Sequence, residues 1–139
     1  MAKKKKAFGF NVAVKNLEEA VARFKALLEV EPTTLHPQDF AFPGLNGASF
    51  NLGGFVINLI TSADKSTSVG NFLEKRGEGF FLFSMQVEDV AHEIARLKNQ
   101  NFSFIPQDIV NHPGWGKIIF VHPKSLNGVQ VEMIQPPKS

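Results

Sequence analysis

Residues 10–25, FNVAVKNLEEAVARFK, decide the fold because the same pattern occurs twice in the chain. They align without a gap on residues 83–98, FSMQVEDVAHEIARLK, at a shift of 73 positions. A second stretch, GFVINLI at 54–60, aligns with GVQVEMI at 128–134 at a shift of 74. Self-similarity at a fixed period marks a repeated structural unit. The chain is therefore expected to form two related modules, with a binding site between them.

The first copy has the pattern of a strand followed by a helix. Residues 8–14 are rich in β-forming types, and Asn16 with Glu19 three positions on has the spacing of a capping box. Glu31 and Pro32 mark the end of the helix. Between these signals the apolar residues recur at helical spacing on one face: Leu17, Ala20, Val21, Phe24, Leu27 and Leu28.

Further strands follow the helix in each copy. In the first copy, segments 48–52 and 55–61 flank Gly53-Gly54, a hairpin signal. In the second copy, a strand over 79–87 precedes Asp89, which is expected to cap a helix through Lys98. The remaining strands of this copy are predicted at 102–105, 117–121 and 129–134. This order predicts a mixed α+β fold with antiparallel hairpins.

The sequence also predicts how the chain is divided. Residues 8–62 form the first module and 79–136 the second, joined by a linker at 63–78 that holds a short helix over 69–75 ending at Gly77. Residues 1–7 are expected to be a disordered, solvated basic terminus.

Composition excludes several classes of protein. The chain has 139 residues, is 43% hydrophobic and has no cysteine, which rules out disulfides and thiolate chemistry. Lys3 to Lys6 supply four of the fifteen positive residues, and no other stretch interleaves basic and aromatic residues as a nucleic-acid surface does. There is no apolar run long enough to cross a membrane and no secretory h-region. We expect a cytoplasmic protein that binds neither nucleic acid nor membranes.

Several motifs resemble a known family. VKNLEEA at 14–20, within the repeated β-α-β-β pattern, resembles the vicinal oxygen chelate superfamily, which includes glyoxalase I, bleomycin-resistance proteins and extradiol dioxygenases. FLEKRGEG at 72–79 and FVHPKS at 120–125, followed by Gly128-Val129, are similar to the methylmalonyl-CoA epimerases. The resemblance covers residues 8–136, apart from the loop at 33–47. It implies two β-α-β-β-β modules that form a glyoxalase-like cupped sheet.

The resemblance also implies a divalent metal, held by a histidine on the first strand of each module and by Glu or Gln on the last strand. Those positions correspond to Gly9, Asn58, Leu82 and Glu132. Gly9 and Leu82 offer no donor atom. One amide and one carboxylate do not satisfy Mg²⁺, Ca²⁺ or Zn²⁺. We therefore predict no metal or other cofactor.

The candidate ligand-binding residues are expected to line the cup: Asn58, Phe80, Leu82, Trp115, Lys117 and Glu132. Strand alternation puts Phe80 on the face of Leu82, although core packing is the alternative for this ring. Trp115, in a glycine-bracketed loop, either stacks on a planar ligand or caps the core. Lys117 either contacts an anionic tail or is solvated.

Three functions follow from this set of residues. The leading one is metal-independent binding of an apolar or aromatic small molecule, as in drug-sequestering relatives. The second is an epimerase-like isomerase or related lyase with Glu132 as its catalytic base, whose proton affinity desolvation would raise. The acidic residue that such epimerases carry before a strand of the first module corresponds to Leu45. The third is a remnant whose cup is filled by side chains. A homodimer is expected in each case.

Overall fold

The computed structural model describes residues 5–138 and gives them eight strands and three α-helices. The first copy consists of β1 (Lys5–Ala13), α1 (Leu17–Leu28), β2 (Thr33–Leu35), β3 (Asn46–Leu52) and β4 (Phe55–Thr61), and α2 (Ser68–Arg76) follows it. The second copy consists of β5 (Gly79–Val87), α3 (Val90–Lys98), β6 (Phe104–His112), β7 (Gly116–Val121) and β8 (Val131–Gln135). The predicted β-α-β-β-β order is confirmed in both copies.

Strand pairing repeats together with the sequence. In the first copy the strand order is β2-β3-β4-β1, and in the second it is β6-β7-β8-β5. The first and last strands of each copy are parallel, and the other neighbours are antiparallel. Residues 9–81 form one compact unit, and residues 82–138 with 5–8 form another. The helix of the predicted linker, α2, belongs to the unit of residues 9–81.

Both predicted helix caps are present. The Asn16 side chain accepts a hydrogen bond from the Glu19 backbone N–H at 3.0 Å, and Asp89 accepts one from His92 at 3.0 Å. Each satisfies a backbone donor that the first turn of a helix leaves without a partner. α1 ends at Leu28, where Glu29 adopts a left-handed conformation. The helix therefore ends before the predicted Glu31-Pro32 stop.

Each helix covers an apolar sheet surface. α1 packs over residues from β1, β3 and β4, with Phe50 and Leu59 fully buried beneath it. α2 contributes Val69 and Leu73 to a second cluster, which also contains Leu45. α3 packs on Ile119, Val121, Val131 and Met133 in the other unit. These clusters show which face of each sheet is packed against its helix.

The first described residues and the length of β6 differ from what the sequence predicted. Residues 5–7 belong to β1 rather than to a frayed terminus, and the Lys5 ammonium lies 3.0 Å from the buried Glu93 carboxylate. The prediction for residues 1–4 lies outside the described residues. β6 is longer than the predicted 102–105 strand, because it continues past a cis Ile105–Pro106 bond and a register shift to His112. None of the helices described is long and apolar enough to span a membrane.

Candidate functional site

A pair of amides links β1 to β4 on the face that points away from α1. Asn11 and Asn58 are register partners, and Asn58 Nδ2 donates a hydrogen bond to Asn11 Oδ1 at 3.0 Å. Asn58 Oδ1 is buried and has no hydrogen-bond partner within the described chain. An unpaired buried acceptor costs about 1–3 kcal/mol. The pair therefore presents an acceptor that a bound donor would satisfy.

A hydroxyl and a carboxyl make the equivalent pair in the second copy. Ser84 and Glu132 are register partners on β5 and β8, and Ser84 Oγ donates to Glu132 Oε1 at 2.9 Å. Residue 132 keeps some solvent exposure, but burial of its carboxyl raises the pKa of Glu132 to about 7, against a smaller lowering by the Ser84 hydrogen bond. The direction of this shift is the one that desolvation of a carboxyl produces. Such a carboxyl exchanges protons near neutral pH.

The two pairs correspond through the internal repeat. Asn11 and Ser84 are separated by 73 positions, and Asn58 and Glu132 by 74, the two shifts found in the sequence. Asn58 and Glu132 were predicted from the sequence as ligand-binding residues, whereas Asn11 and Ser84 were not. A signal was present, because both lie two positions after Gly9 and Leu82 in the repeated strand and therefore on the same face.

The positions that the family uses for a metal do not fit one. A Cβ atom at Gly9 would overlap the Val56 carbonyl oxygen, so the backbone of β4 closes the place of one histidine. Leu82 is 2% exposed and carries no donor atom. Throughout residues 5–138, no group of three or more His, Cys, Asp or Glu is arranged to hold an ion. These positions leave one amide in the unit of residues 9–81 and one carboxyl in the other unit, and neither group alone satisfies a hard cation or zinc.

Phe80 lies apart from Asn58, which corrects the expectation that both line one surface. Its ring packs on Phe10 at 5.7 Å, and Phe10 packs on Phe55 at 5.8 Å. Phe10 belongs to the cluster beneath α1, whereas the next residue, Asn11, points to the opposite face. Phe80 is 54% exposed at the edge of that cluster. The ring is therefore attached through Phe10 to the rim of the cluster and is not part of a buried core.

Lys117 is likewise separated from Glu132. It is the register partner of Gln135, whose side chain accepts the Val90 N–H at the start of α3. Gln135 and Glu132 are three positions apart on one strand, so they point to opposite faces. Lys117 is exposed and lines a surface groove of about 600 Å³. The solvated alternative describes its position.

Trp115 is held in the turn between β6 and β7. His112 Nδ1 accepts the backbone N–H groups of Gly114 and Trp115 at 3.0 and 3.1 Å. The half-buried indole lies edge-on to Phe8, with 6.2 Å between ring centroids. Phe8 thus supports one side of the ring, and the indole keeps part of its surface in solvent.

Comparison with known proteins identifies the family. The sequence model of the glyoxalase/bleomycin resistance protein/dioxygenase superfamily matches residues 10–120. The ethylmalonyl-CoA/methylmalonyl-CoA epimerase of Cereibacter sphaeroides is 29% identical over 126 residues, which cover 89% of this chain and 92% of that protein.

Solved structures of epimerases share the fold. Methylmalonyl-CoA epimerase from Mycobacterium tuberculosis superposes with a TM-score of 0.83 at 24% identity, covering 96% of this chain and 89% of that one. A methylmalonyl-CoA epimerase in complex with methylmalonyl-CoA and NH4+ has a TM-score of 0.81 at 22% identity, with 94% and 93% covered. The predicted α+β glyoxalase-like fold is confirmed, and the chain belongs to the glyoxalase/bleomycin resistance protein/dioxygenase superfamily.

Proposed function

We propose that this chain binds an acyl thioester of the coenzyme A class and moves a proton on it with Glu132, without a metal at positions 9, 58, 82 and 132. The Ser84–Glu132 pair is the observation that carries the proposal. A desolvated carboxyl with a pKa of about 7 is matched to general acid–base work near neutral pH. The similarity to epimerases that act on acyl-CoA substrates supports this substrate class.

The proposed step is proton transfer at the carbon next to the thioester carbonyl. The Glu132 carboxylate removes the C–H proton, and the electrons of the broken bond move into the carbonyl group to give an enolate. The protonated carboxyl then returns the proton to carbon, so the base is regenerated and the atoms balance. Ser84, which holds Oε1, leaves Oε2 to take the proton.

Inversion at that carbon needs a second acid–base group on the opposite face of the enolate. The residue that corresponds to the family's acidic group, Leu45, is 7% exposed in an apolar cluster and supplies none. A single base returns the proton to the face from which it came. We therefore expect exchange of the α-proton with solvent to be faster than inversion.

The experiment uses methylmalonyl-CoA in D2O, with deuterium incorporation followed by NMR and inversion by chiral analysis. The wild-type protein should exchange the proton above the protein-free rate, and Glu132→Gln should lose most of that increase. Glu74→Gln is the matched control, since Glu74 is an exposed carboxylate on α2. Undiminished exchange by Glu132→Gln, or exchange that needs added Co²⁺ or Mg²⁺, would contradict the proposal.

A second candidate is binding of an apolar or aromatic small molecule without catalysis. The observations that favour it are the apolar Leu82 on the face of Glu132 and the half-buried Trp115 supported by Phe8. Trp115 is the single tryptophan, so its fluorescence reports on one place. Emission changes with aromatic metabolites, without α-proton exchange on acyl-CoA, would favour binding alone. Trp115 emission that changes with neither aromatic metabolites nor acyl-CoA would count against this second candidate.

A further inference from the structure

We infer that two side-chain hydrogen bonds take the place of a metal ion in this chain, with Ser84 and Asn11 as the positioning residues of Glu132 and Asn58. The inference concerns the same site as the proposed function and rests on it only for the choice of methylmalonyl-CoA as a probe. It assigns roles to two residues that the family's metal positions do not include.

Two of the four family metal positions carry a polar side chain, and each of these side chains makes one hydrogen bond within the chain. Glu132 is held by Ser84 at 2.9 Å, and Asn58 is joined to Asn11 at 3.0 Å. A metal ion fixes its ligands by drawing side chains from separate strands to one point. Here each side chain is fixed by its register partner on the paired strand instead. The two bonds occupy equivalent positions in the repeat.

Each hydrogen bond engages one polar atom of the side chain that it holds. The Ser84 hydroxyl donates to Glu132 Oε1, so one oxygen of the carboxyl is held by the paired strand. The Asn58 nitrogen is a donor already engaged by Asn11 and is not a ligand for a cation. Ser84 itself is 3% exposed, so its hydroxyl has little water to bond with instead. Asn58 Oδ1 and Glu132 Oε2, one in each unit, remain outside these two hydrogen bonds, so the bonds fix the side chains without engaging every polar atom.

At Gly9 the backbone itself leaves no room for a metal-binding side chain. Its hypothetical Cβ would meet the carbonyl oxygen of Val56 rather than a movable side chain. A histidine at that position would require β1 to move away from its register partner. The backbone of β1 or β4 therefore has to shift before a histidine fits at position 9.

The first test measures metal binding to the full chain by calorimetry and elemental analysis with Mg²⁺, Mn²⁺, Co²⁺ and Zn²⁺. No stoichiometric binding is expected, in the wild type or in Leu82→His, because restoring one histidine leaves the place at Gly9 closed. Stoichiometric metal bound by the wild-type protein through Glu132 would overturn the inference.

The second test compares Ser84→Ala with Ser84→Thr, which keeps the hydroxyl. Loss of a hydrogen bond to a carboxyl corresponds to on the order of tenfold to a hundredfold in exchange of methylmalonyl-CoA. Ser84→Ala should show that loss in kcat with little change in KM, and Ser84→Thr should recover most of it. Equal activity in the wild type and Ser84→Ala, or no recovery in Ser84→Thr, would overturn the positioning role.

A third measurement separates failure of this inference from failure of the proposed function. Crystal structures of Ser84→Ala and Asn11→Ala at one pH should show the Glu132 and Asn58 side chains, respectively, in altered or multiple conformers. If the wild type exchanges no α-proton, the proposed function fails, and these conformers still decide the inference. Unchanged single conformers in both variants would contradict it.

Discussion

Glu132 is an acidic residue on β8, and the side chains around it change the pKa of its carboxyl. The residue alternates with Val131 and Met133, which face α3, so its carboxyl points to the opposite face, where Leu82 and Ser84 lie. Removal of water by the apolar surroundings favours the neutral acid and raises the pKa to about 7, while one hydroxyl partner opposes the shift. The sequence predicted the direction of this effect. It did not predict the partner, Ser84, because the register of β5 with β8 decides which side chain lies opposite Glu132.

The raised pKa of Glu132 makes stability depend on pH. The folded state holds its proton more tightly than the unfolded state, so the contribution is fully present below about pH 4.5 and is lost as the pH rises through about 7. The loss is up to about 3 kcal/mol. Urea unfolding of the wild type and Glu132→Gln should show the difference between them change over this interval. Glu74→Gln should follow the wild type, and parallel curves for Glu132→Gln would contradict the prediction.

Gly9 is a second position, where adding a single Cβ atom should lower the stability of the fold. Gly9→Ala places a Cβ against the Val56 carbonyl oxygen, which belongs to the paired strand and does not move aside as a flexible side chain would. We expect a loss of about 1–3 kcal/mol or more in the free energy of unfolding. Gly53→Ala is a useful comparison, because its Cβ meets no atom and only the left-handed backbone (φ 66°) opposes it. Equal stability of wild type and Gly9→Ala would show that β1 and β4 separate more easily than described.

At the scale of elements, the helices and most strands were predicted to within a few residues, whereas β6 and β2 were not. The caps of α1 and α3 are read from residues three positions apart, and both are present. β6 was predicted only as a short strand at 102–105. In the structure the strand continues beyond a register shift, where β7 supplies the hydrogen bonds. The short β2 likewise exists only through pairing with β3.

The caps of α1 and α3 should be equivalent in energy as they are in sequence. Asn16→Ala and Asp89→Ala each remove the acceptor of one backbone N–H in the first helical turn. Each should lower the free energy of unfolding by about 1 kcal/mol, measured by urea titration. Arg23→Ala, on the exposed surface of α1, should change it by less than about 0.5 kcal/mol. A cap variant as stable as this control would contradict the assigned role.

For the whole molecule, the repeat predicted the fold but left the site incompletely described. Because the copies share strand order and pairing, the sequence sufficed to place Asn58 and Glu132 at equivalent positions. Phe80 and Lys117 were grouped with them, yet Phe80 packs on Phe10 of the cluster beneath α1, and Lys117 lies on the face opposite to that of Glu132. A shared face depends on register and bulges as well as on alternation within one strand. Those quantities are set by pairing, which the linear pattern does not contain.

The oligomeric state is a prediction at this scale. Two modules of this size are each marginal alone, and we expect the full chain to form a homodimer that adds buried apolar surface. Sedimentation equilibrium over a range of protein concentrations should give twice the mass of 15.4 kDa. A single species at the monomer mass at every concentration would refute the expectation.

The two cross-strand pairs have one further consequence. Asn11 and Asn58 carry no ionisable group, whereas Ser84 and Glu132 occupy the matching places with one that titrates. The repeat thus contains one pair that titrates and one matching pair that does not. In an NMR pH titration, the side-chain amide signals of Asn11 and Asn58 therefore serve as an internal reference. Shifts common to both pairs can be subtracted from those that report the titration of Glu132.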